Sequence, residues 1–212
     1  LEELGWEQEV FLSFLPLSHS YEHMAGQFFP MTIGAEIYYA QRADTLAANL
    51  VEARPTIMTA VPRLYETFHQ RITAGVRNAG GMKETLFNKT VELGTKRFEG
   101  QTNLSVAEHL TNGLLDILVR KKVRARFGGR LKALVSGGAP LNPDIGMFFT
   151  ALGLRILQGY GQTETSPSVS VNAPGDPKLH TVGPPMKDVE VKIADDGEIL
   201  ERGDLVMQGY WR

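Results

Sequence analysis

Two glycine-rich loops, each placed directly after a short apolar run, restrict this chain more than anything else in it. Ser136-Gly137-Gly138-Ala139-Pro140-Leu141 follows Leu131 to Val135, and Gly159-Tyr160-Gly161-Gln162-Thr163-Glu164-Thr165 follows Leu154 to Leu157. Both runs read as buried strands. Between the loops, Asn142 suits an N-cap, Pro143 the first helical position and Gly153 the residue just past a helix end. The pattern is strand, loop, helix, strand, loop. Strands joined in this way are parallel, and both loops then lie at one carboxyl edge of an open sheet, where α/β sheets bind ligands.

The loops differ in what they can hold. A helix N-terminus is ordinarily a good phosphate site. Here Asn142 fills it, Pro143 has no N–H to offer, and Asp144 adds a negative charge. The first loop therefore reads as a wall of small residues against which a flat group can lie on backbone. The second carries an aromatic ring in Tyr160, a hydroxyl in Thr163 and a carboxylate in Glu164, suited to a base, a phosphoryl oxygen and Mg²⁺. Taken singly, either loop could equally be a turn that needs glycine for backbone reasons alone.

Taken together, the two segments resemble the adenylate-forming (AMP-binding) ligases, which include acyl-CoA synthetases, luciferases and the adenylation domains of peptide synthetases. The resemblance implies a nucleotide site at Gly137, Gly138, Ala139 and Pro140, continued by Gly159, Tyr160, Gly161 and Thr163. It implies that Tyr160 stacks on adenine, Thr163 contacts phosphate and Glu164 ligates Mg²⁺.

Composition narrows the remaining classes. With 22 basic and 24 acidic residues in 212, the chain has no general attraction for nucleic acid. It has no cysteine, which excludes disulfides and Cys-ligated zinc and suits the cytoplasm. No apolar run reaches the ~18 residues of a membrane span, and no signal peptide opens the chain. The first residues look like a helix end running into a strand, which suggests a fragment.

Val10 to Leu15 reads as a buried strand closed by Pro16, ahead of Leu17-Ser18-His19-Ser20-Tyr21-Glu22-His23. Two readings compete here. His19-x-x-Glu22-His23 matches the inverted zinc-peptidase pattern, although no third ligand announces itself. Pro-Leu-Ser-His also resembles the adenylate-former segment in which a histidine sits near the carboxylate being activated. That would give His19, Thr163 and Glu164 catalytic roles. The plain alternative is a helix-start histidine without a ligand. The resemblance further implies an acyl pocket around His23, Phe28, Gly137 and Gly138, with an aromatic gate in some relatives where His23 stands.

Ala35 to Ala40 and Thr56 to Val61 are further strands, with Asp44 expected to cap a helix that Arg54-Pro55 ends, and Pro62 opening the next. Ile37-Tyr38-Tyr39-Ala40, Asp44-Thr45-Leu46, Ala53-Arg54-Pro55-Thr56 and Ala60-Val61-Pro62-Arg63-Leu64-Tyr65-Glu66 resemble the long-chain fatty-acyl-CoA synthetase branch. Arg63 reads as a structural ion-pair residue. From Leu64 to Phe127 the period is helical: Leu64, Phe68 and Ile72 share a face, as do Phe87, Val91 and Phe98, and then Leu110, Leu114, Ile117 and Leu118. This stretch resembles a helical insertion of long-chain synthetases. Arg120, Lys121, Lys122, Arg124, Arg126 and Arg130 place six basic residues within eleven, read as a solvated helix end or as a peripheral contact with anionic lipid.

After Thr165 the pattern turns to strands at Val169 to Val171, Val189 to Ile193, Glu198 to Glu201 and Leu205 to Met207, with a hairpin turn at Asp196-Gly197. Val182-Gly183-Pro184-Pro185 and the words from Gly197 to Trp211 resemble the small distorted barrel of the same family. The expected fold is thus α/β: a parallel sheet flanked by helices over residues 1–168, with a helical insertion at about 64–127, followed by an incomplete all-β segment over 169–212. The implied function is part of a long-chain fatty-acid–CoA ligase using ATP, CoA and Mg²⁺. The alternatives are an adenylating enzyme for an aryl or amino acid, or a non-catalytic acyl or nucleotide binder. By the same resemblance, the phosphate loop with its lysine, the ribose-binding aspartate and the mobile lysine-bearing domain fall outside these residues. The chain alone is then expected not to turn over.

Overall fold

The structure is a computed structural model that describes residues 4–5, 7–100 and 104–211. The helix end expected over the first residues lies outside the described residues. The strands form where continuous apolar runs make them. These are β1 (Val10–Ser13), β2 (Glu36–Tyr39), β3 (Ile57–Ala60), β4 (Ala133–Ser136), β5 (Ile156–Tyr160) and β6 (Ser170–Val171). They lie in one sheet in the order β2-β1-β3-β4-β5-β6, parallel throughout except for β6, which runs antiparallel on β5. Every residue of β1 and β3 is buried, as expected of parallel strands covered on both faces. A small separate sheet pairs β7 (Glu190–Ile193) with β8 (Ile199–Arg202) in antiparallel register.

Helices cover the sheet. After β1, a short helix α1 (Ser20–Glu22) widens into a π-helical turn over His23–Phe28 and resumes as α2 (Phe29–Thr32). α3 (Leu46–Ala53) leads into β3 through Arg54, which stands in the left-handed region, and Pro55. Pro62 starts α4 (Pro62–Ala79), and α5 (Gly81–Glu99) and α6 (Val106–Leu115) follow. A second π-helical turn, Asp116–Arg120, joins α6 to α7 (Lys121–Arg126). α8 (Pro143–Ala151) crosses from β4 to β5, capped by the Asn142 side chain as its sequence predicts. The centre of the core is Leu12, Met58, Tyr65, Leu134, Phe149 and Leu152, all almost wholly buried.

Four expectations need correction. Asp44 does not cap α3: its carboxylate pairs with Arg42 at 2.7 Å, and Thr45 holds the cap position while its hydroxyl donates to the Arg42 carbonyl at 3.1 Å instead of capping. Leu205 to Met207 form a turn, because their backbone bonds go to the second glycine-rich loop and not to a strand. Ser166 Oγ donates to the Leu205 carbonyl at 2.8 Å, and Met207 N–H donates to the Glu164 carbonyl at 2.8 Å. Leu110, Leu114, Ile117 and Leu118 do not face the core. They are exposed, while Asn112, Leu115 and Val119 turn inward. The reason is the fourth correction. Arg120 is no solvated helix end but a buried tie, and Asn112 turns inward to meet it.

The Arg120 guanidinium donates through Nε to the Ala151 carbonyl at 2.7 Å and through Nη2 to the Thr90 carbonyl at 3.1 Å and Asn112 Oδ1 at 2.8 Å. One side chain thus joins α5, α6 and α8. Asp116 meanwhile holds Arg124 through two bonds of 2.9 Å, and Lys121, Lys122, Arg126 and Arg130 are left at the surface. Replacing Arg120 by Met keeps the length of the side chain but strips four acceptors, the Ala151, Thr90 and Asn112 carbonyls and Asn112 Oδ1, of its donation. Such acceptors cost roughly 1–3 kcal/mol each when left unpaired. Allowing for partial relaxation, Arg120→Met should lower unfolding stability by about 3 kcal/mol in a urea titration, whereas the exposed Lys121→Met should change it by less than about 0.5 kcal/mol.

Candidate active site

Parallel strands bring their carboxyl ends to one edge, and three loops meet there. The loop after β1 carries His19, the loop after β4 carries Gly137 and Gly138, and the loop after β5 carries Thr163 and Glu164. They enclose a cleft of about 190 Å³ whose wall includes His19, Ser20, Tyr21, Gly137, Gly138, Gly159, Tyr160, Gly161 and Thr163. A larger groove of about 1240 Å³ runs between α5, α7, α8 and residues 175–180, with none of these loop residues in its wall.

Each side chain is placed by local chemistry. His19 is the N-cap of α1, its Nδ1 accepting from the Tyr21 N–H at 3.2 Å. This orients the ring and leaves Nε2 as its other polar atom. The Ser20 and Thr163 hydroxyls lie 3.1 Å apart and join the loop after β1 to the loop after β5. The Tyr21 hydroxyl donates to the Val135 carbonyl at 3.0 Å, and the Tyr65 hydroxyl donates to the same carbonyl at 3.0 Å. The Tyr21 ring therefore crosses below the first glycine-rich loop. A Cβ at Gly137 would stand 3.0 Å from that ring, so glycine here is a matter of contact with the ring. At Gly161 a Cβ would collide with the Pro167 carbonyl, so the second loop needs its glycine to close on itself.

From β5, Gln158 ties the first glycine-rich loop to the segment around Thr181. It is buried, its Oε1 accepts from the Leu141 N–H at 2.6 Å, and its Nε2 donates to the Thr181 carbonyl at 3.0 Å. Asn172 Nδ2 donates to the same Thr181 carbonyl at 2.7 Å. The helix end after the first loop is closed as expected, Asn142 Oδ1 accepting from the Asp144 N–H at 2.8 Å. No phosphate is needed there.

The electrostatics are those of an accessible carboxylate near half-buried phenols. Glu164 accepts a hydrogen bond from the Tyr210 hydroxyl, which holds its carboxyl below the usual range. Burial, and then the neighbouring Glu22 carboxylate, push the Tyr21 hydroxyl well up. Tyr160 is also raised by burial, against the Gln162 amide that donates to it at 3.1 Å. Among the described residues no cluster of three His, Cys, Asp or Glu could hold a metal unaided. Glu164 stands outside the cleft wall as a single accessible carboxylate, and Mg²⁺ sites take one or two carboxylates and complete the shell with phosphate oxygens and water.

Other expected site residues stand elsewhere. Ala139 and Pro140 are exposed and outside the cleft wall, as are His23 and Phe28, whose rings stack edge to face at 4.7 Å on the π-helical turn. The zinc pattern is overturned. His19 and His23 are exposed, and Glu22, wholly buried, points to Ser13 and Thr59. Reading by motif missed Ser20, Tyr21 and Gln158. Their only signals were a ring two residues past a histidine and an amide interrupting an apolar run.

The Tyr210 contact carries a pH dependence with a definite sign. A carboxyl whose value is depressed in the folded state gains from that contact above its ordinary range and loses it as pH falls through the depressed value. Tyr210→Phe should raise the Glu164 carboxyl toward the ordinary carboxylate range in a ¹³C NMR titration. An unchanged midpoint would show that the hydroxyl does not act on it.

With this geometry in place, comparison with known proteins gives a consistent result. The sequence matches the AMP-binding enzyme family over residues 2–211. It is 36% identical over 212 residues to the long-chain-fatty-acid–CoA ligase FadD15 of Mycobacterium tuberculosis, covering 96% of this chain and 34% of that protein. It is 32% identical over 223 residues to the peroxisomal long chain acyl-CoA synthetase 6 of Arabidopsis thaliana, covering 98% of this chain and 31% of that protein. The chain thus spans about a third of the length of the curated relatives it matches. The fold is similar to a benzoate CoA ligase from Burkholderia xenovorans, with a TM-score of 0.65 and 26% identity over 98% of this chain and 36% of that one. It is also similar to the o-succinylbenzoate CoA synthetase of Bacillus subtilis in complex with ATP and magnesium ion, with a TM-score of 0.61 and 20% identity over 99% of this chain and 36% of that one. The match along nearly all of its residues, on a mostly parallel sheet with both glycine-rich loops at one edge, shows that the chain belongs to the AMP-binding enzyme family.

Proposed function

We propose that this chain is part of a long-chain fatty-acid–CoA ligase. The observation that carries this reading is the meeting of the His19, Gly137 and Thr163 loops in one cleft, in a chain whose relatives bear that name. In the first half-reaction, a carboxylate oxygen of the fatty acid bonds to the α-phosphorus of ATP while the bond to pyrophosphate breaks. In the second, the CoA thiolate adds to the acyl carbonyl and AMP leaves. Both reactants of the first step are anions, so alignment and charge neutralisation carry the catalysis.

The residues divide the work accordingly. Gly137 and Gly138 give the adenine a flat wall of backbone, and Tyr160 supplies the ring beside it. Ala139 and Pro140 extend that rim. The Thr163 hydroxyl donates to the α-phosphate, and Ser20 holds it at 3.1 Å. His19, oriented through Nδ1, directs the acid carboxylate. Glu164 holds Mg²⁺, which when bound offsets the charge of the triphosphate. The acyl chain leaves the cleft past Tyr21 and Gly137 toward the His23–Phe28 turn. Residues 1–168 form the nucleotide-binding unit and 169–212 part of a β-rich one. The exposed apolar face of α6 and its π-helical extension, with Lys121 and Lys122 one turn further on, favours peripheral contact with an anionic bilayer.

ATP–pyrophosphate exchange by the full-length protein, over acids of increasing length, tests the reading. Each buried methylene contributes about 0.8 kcal/mol, so exchange should rise steeply toward long chains. Glu164→Ala should lose about 10²–10³ of that rate while the fold survives. A maximum with benzoate would move the substrate to aryl acids, and nucleotide binding without exchange would make the protein a binder. Co-sedimentation with vesicles of phosphatidylcholine and phosphatidylserine tests the bilayer contact. Leu110→Glu with Leu114→Glu should abolish it and leave exchange intact.

A further inference from the structure

Among the described residues Glu22 is the one buried carboxylate at the edge of the cleft, and nothing in the proposed reaction uses it. It has no exposed surface, and among the described residues no cation pairs with it. Instead it takes three neutral donors. Oε1 accepts from Ser13 Oγ at 2.6 Å and from the Phe14 N–H at 3.0 Å, and Oε2 accepts from Thr59 Oγ1 at 2.7 Å. Ser13 ends β1, Phe14 follows it, and Thr59 lies in β3, the neighbouring strand. A buried carboxylate without a cation is costly, and simple packing would be served better by an apolar side chain. Around it the chain makes room. A Cβ at Gly26, one turn further on, would stand on the carboxylate itself.

The three residues just before Glu22 are those that reach the cleft: His19, Ser20 and Tyr21. His19 caps α1 and Ser20 and Tyr21 open it, so all three stand at the free first turn of a helical segment that continues through the π-helical turn into α2. We propose that Glu22 is the positioning residue of this turn. By binding the ends of β1 and β3 at once, its carboxylate sets the height and rotation of α1. That places the His19 ring, the Ser20 hydroxyl and the Tyr21 ring against the two glycine-rich loops. The catalytic consequence rests on the reading given under Proposed function, whereas the anchoring itself does not.

The hydrogen-bond inventory says which substitute should work. The Gln amide oxygen can still accept from Ser13 and Phe14, and its NH₂ can donate to the Thr59 hydroxyl, which accepts as readily as it donates. Glu22→Gln in the full-length protein should therefore keep kcat for fatty-acid-dependent pyrophosphate exchange within about threefold. Glu22→Ala should lower kcat about 100-fold, the scale of a misplaced reacting group, with the KM for ATP unchanged. Gly26→Ala should resemble Glu22→Ala, and the double variant should be no worse than either, because the colliding atoms are gone.

Amide hydrogen exchange reads the anchor without any reaction. Ser20 to His23 should exchange about 100-fold faster in Glu22→Ala and at the original rate in Glu22→Gln. Should Glu22→Ala fail to fold, Thr59→Val combined with Ser13→Ala removes two of the donors and should show the same acceleration. Unchanged protection in a folded Glu22→Ala overturns the anchor. A Gln variant as slow as the Ala variant, or a loss found only in the KM for ATP, overturns the positioning role. Absence of exchange chemistry in the unmodified protein, with the protection pattern as stated, would sink the ligase reading and leave the anchor standing.

Discussion

A parallel strand buried on both faces spends all its side chains on the core, and this constraint governs the molecule. β1 and β3 have no residue free to face a ligand, and β4 has only the half-buried Val135. Chemistry is therefore displaced to the strand ends, where the backbone leaves the sheet. The strand order, with β1 between β2 and β3, sends successive connections to opposite sides of β1 and opens a crevice at the carboxyl edge. Polar groups collect there because water, or a ligand, can still reach them.

The edge is held together by shared acceptors more than by salt bridges. The Val135 carbonyl takes two phenol hydroxyls, Gln158 spans two loops, and Glu22 collects three donors from two strands. Ion pairs such as Arg42–Asp44 and Arg202–Glu190 lie at the surface, where screening leaves them little weight. A buried network of neutral donors is insensitive to salt and fixes geometry closely. That suits a cleft whose wall is assembled from three separate loops.

Much of this was legible in the sequence wherever a local rule decides. Continuous apolar runs marked β1, β3, β4 and β5, the Asn142-Pro143 and Pro62 signals marked helix starts, and Asp196-Gly197 marked the hairpin. The sequence words also separated the two loops chemically, since Asn142 and Asp144 close one and Thr163 and Glu164 arm the other. What failed was whatever depends on a partner far along the chain. A helical stripe at Leu110 and Leu114 looks like core until Asn112 is seen to serve the buried Arg120. Each π-helical turn inserts one extra residue, and no propensity announces it. Tyr21 and Gln158 matter through contacts 114 and 17 residues away, which no short window contains.

The β7–β8 hairpin has a different standing from the rest. It is four residue pairs long, every residue of β7 is exposed, and Ile193, Ile199 and Leu200 offer their apolar faces to solvent. A two-stranded ribbon of this kind has little stability of its own. The arm that follows it is fastened independently, through the Leu205, Met207 and Tyr210 bonds to the second loop. The hold of this arm on the second loop therefore does not depend on the hairpin that precedes it.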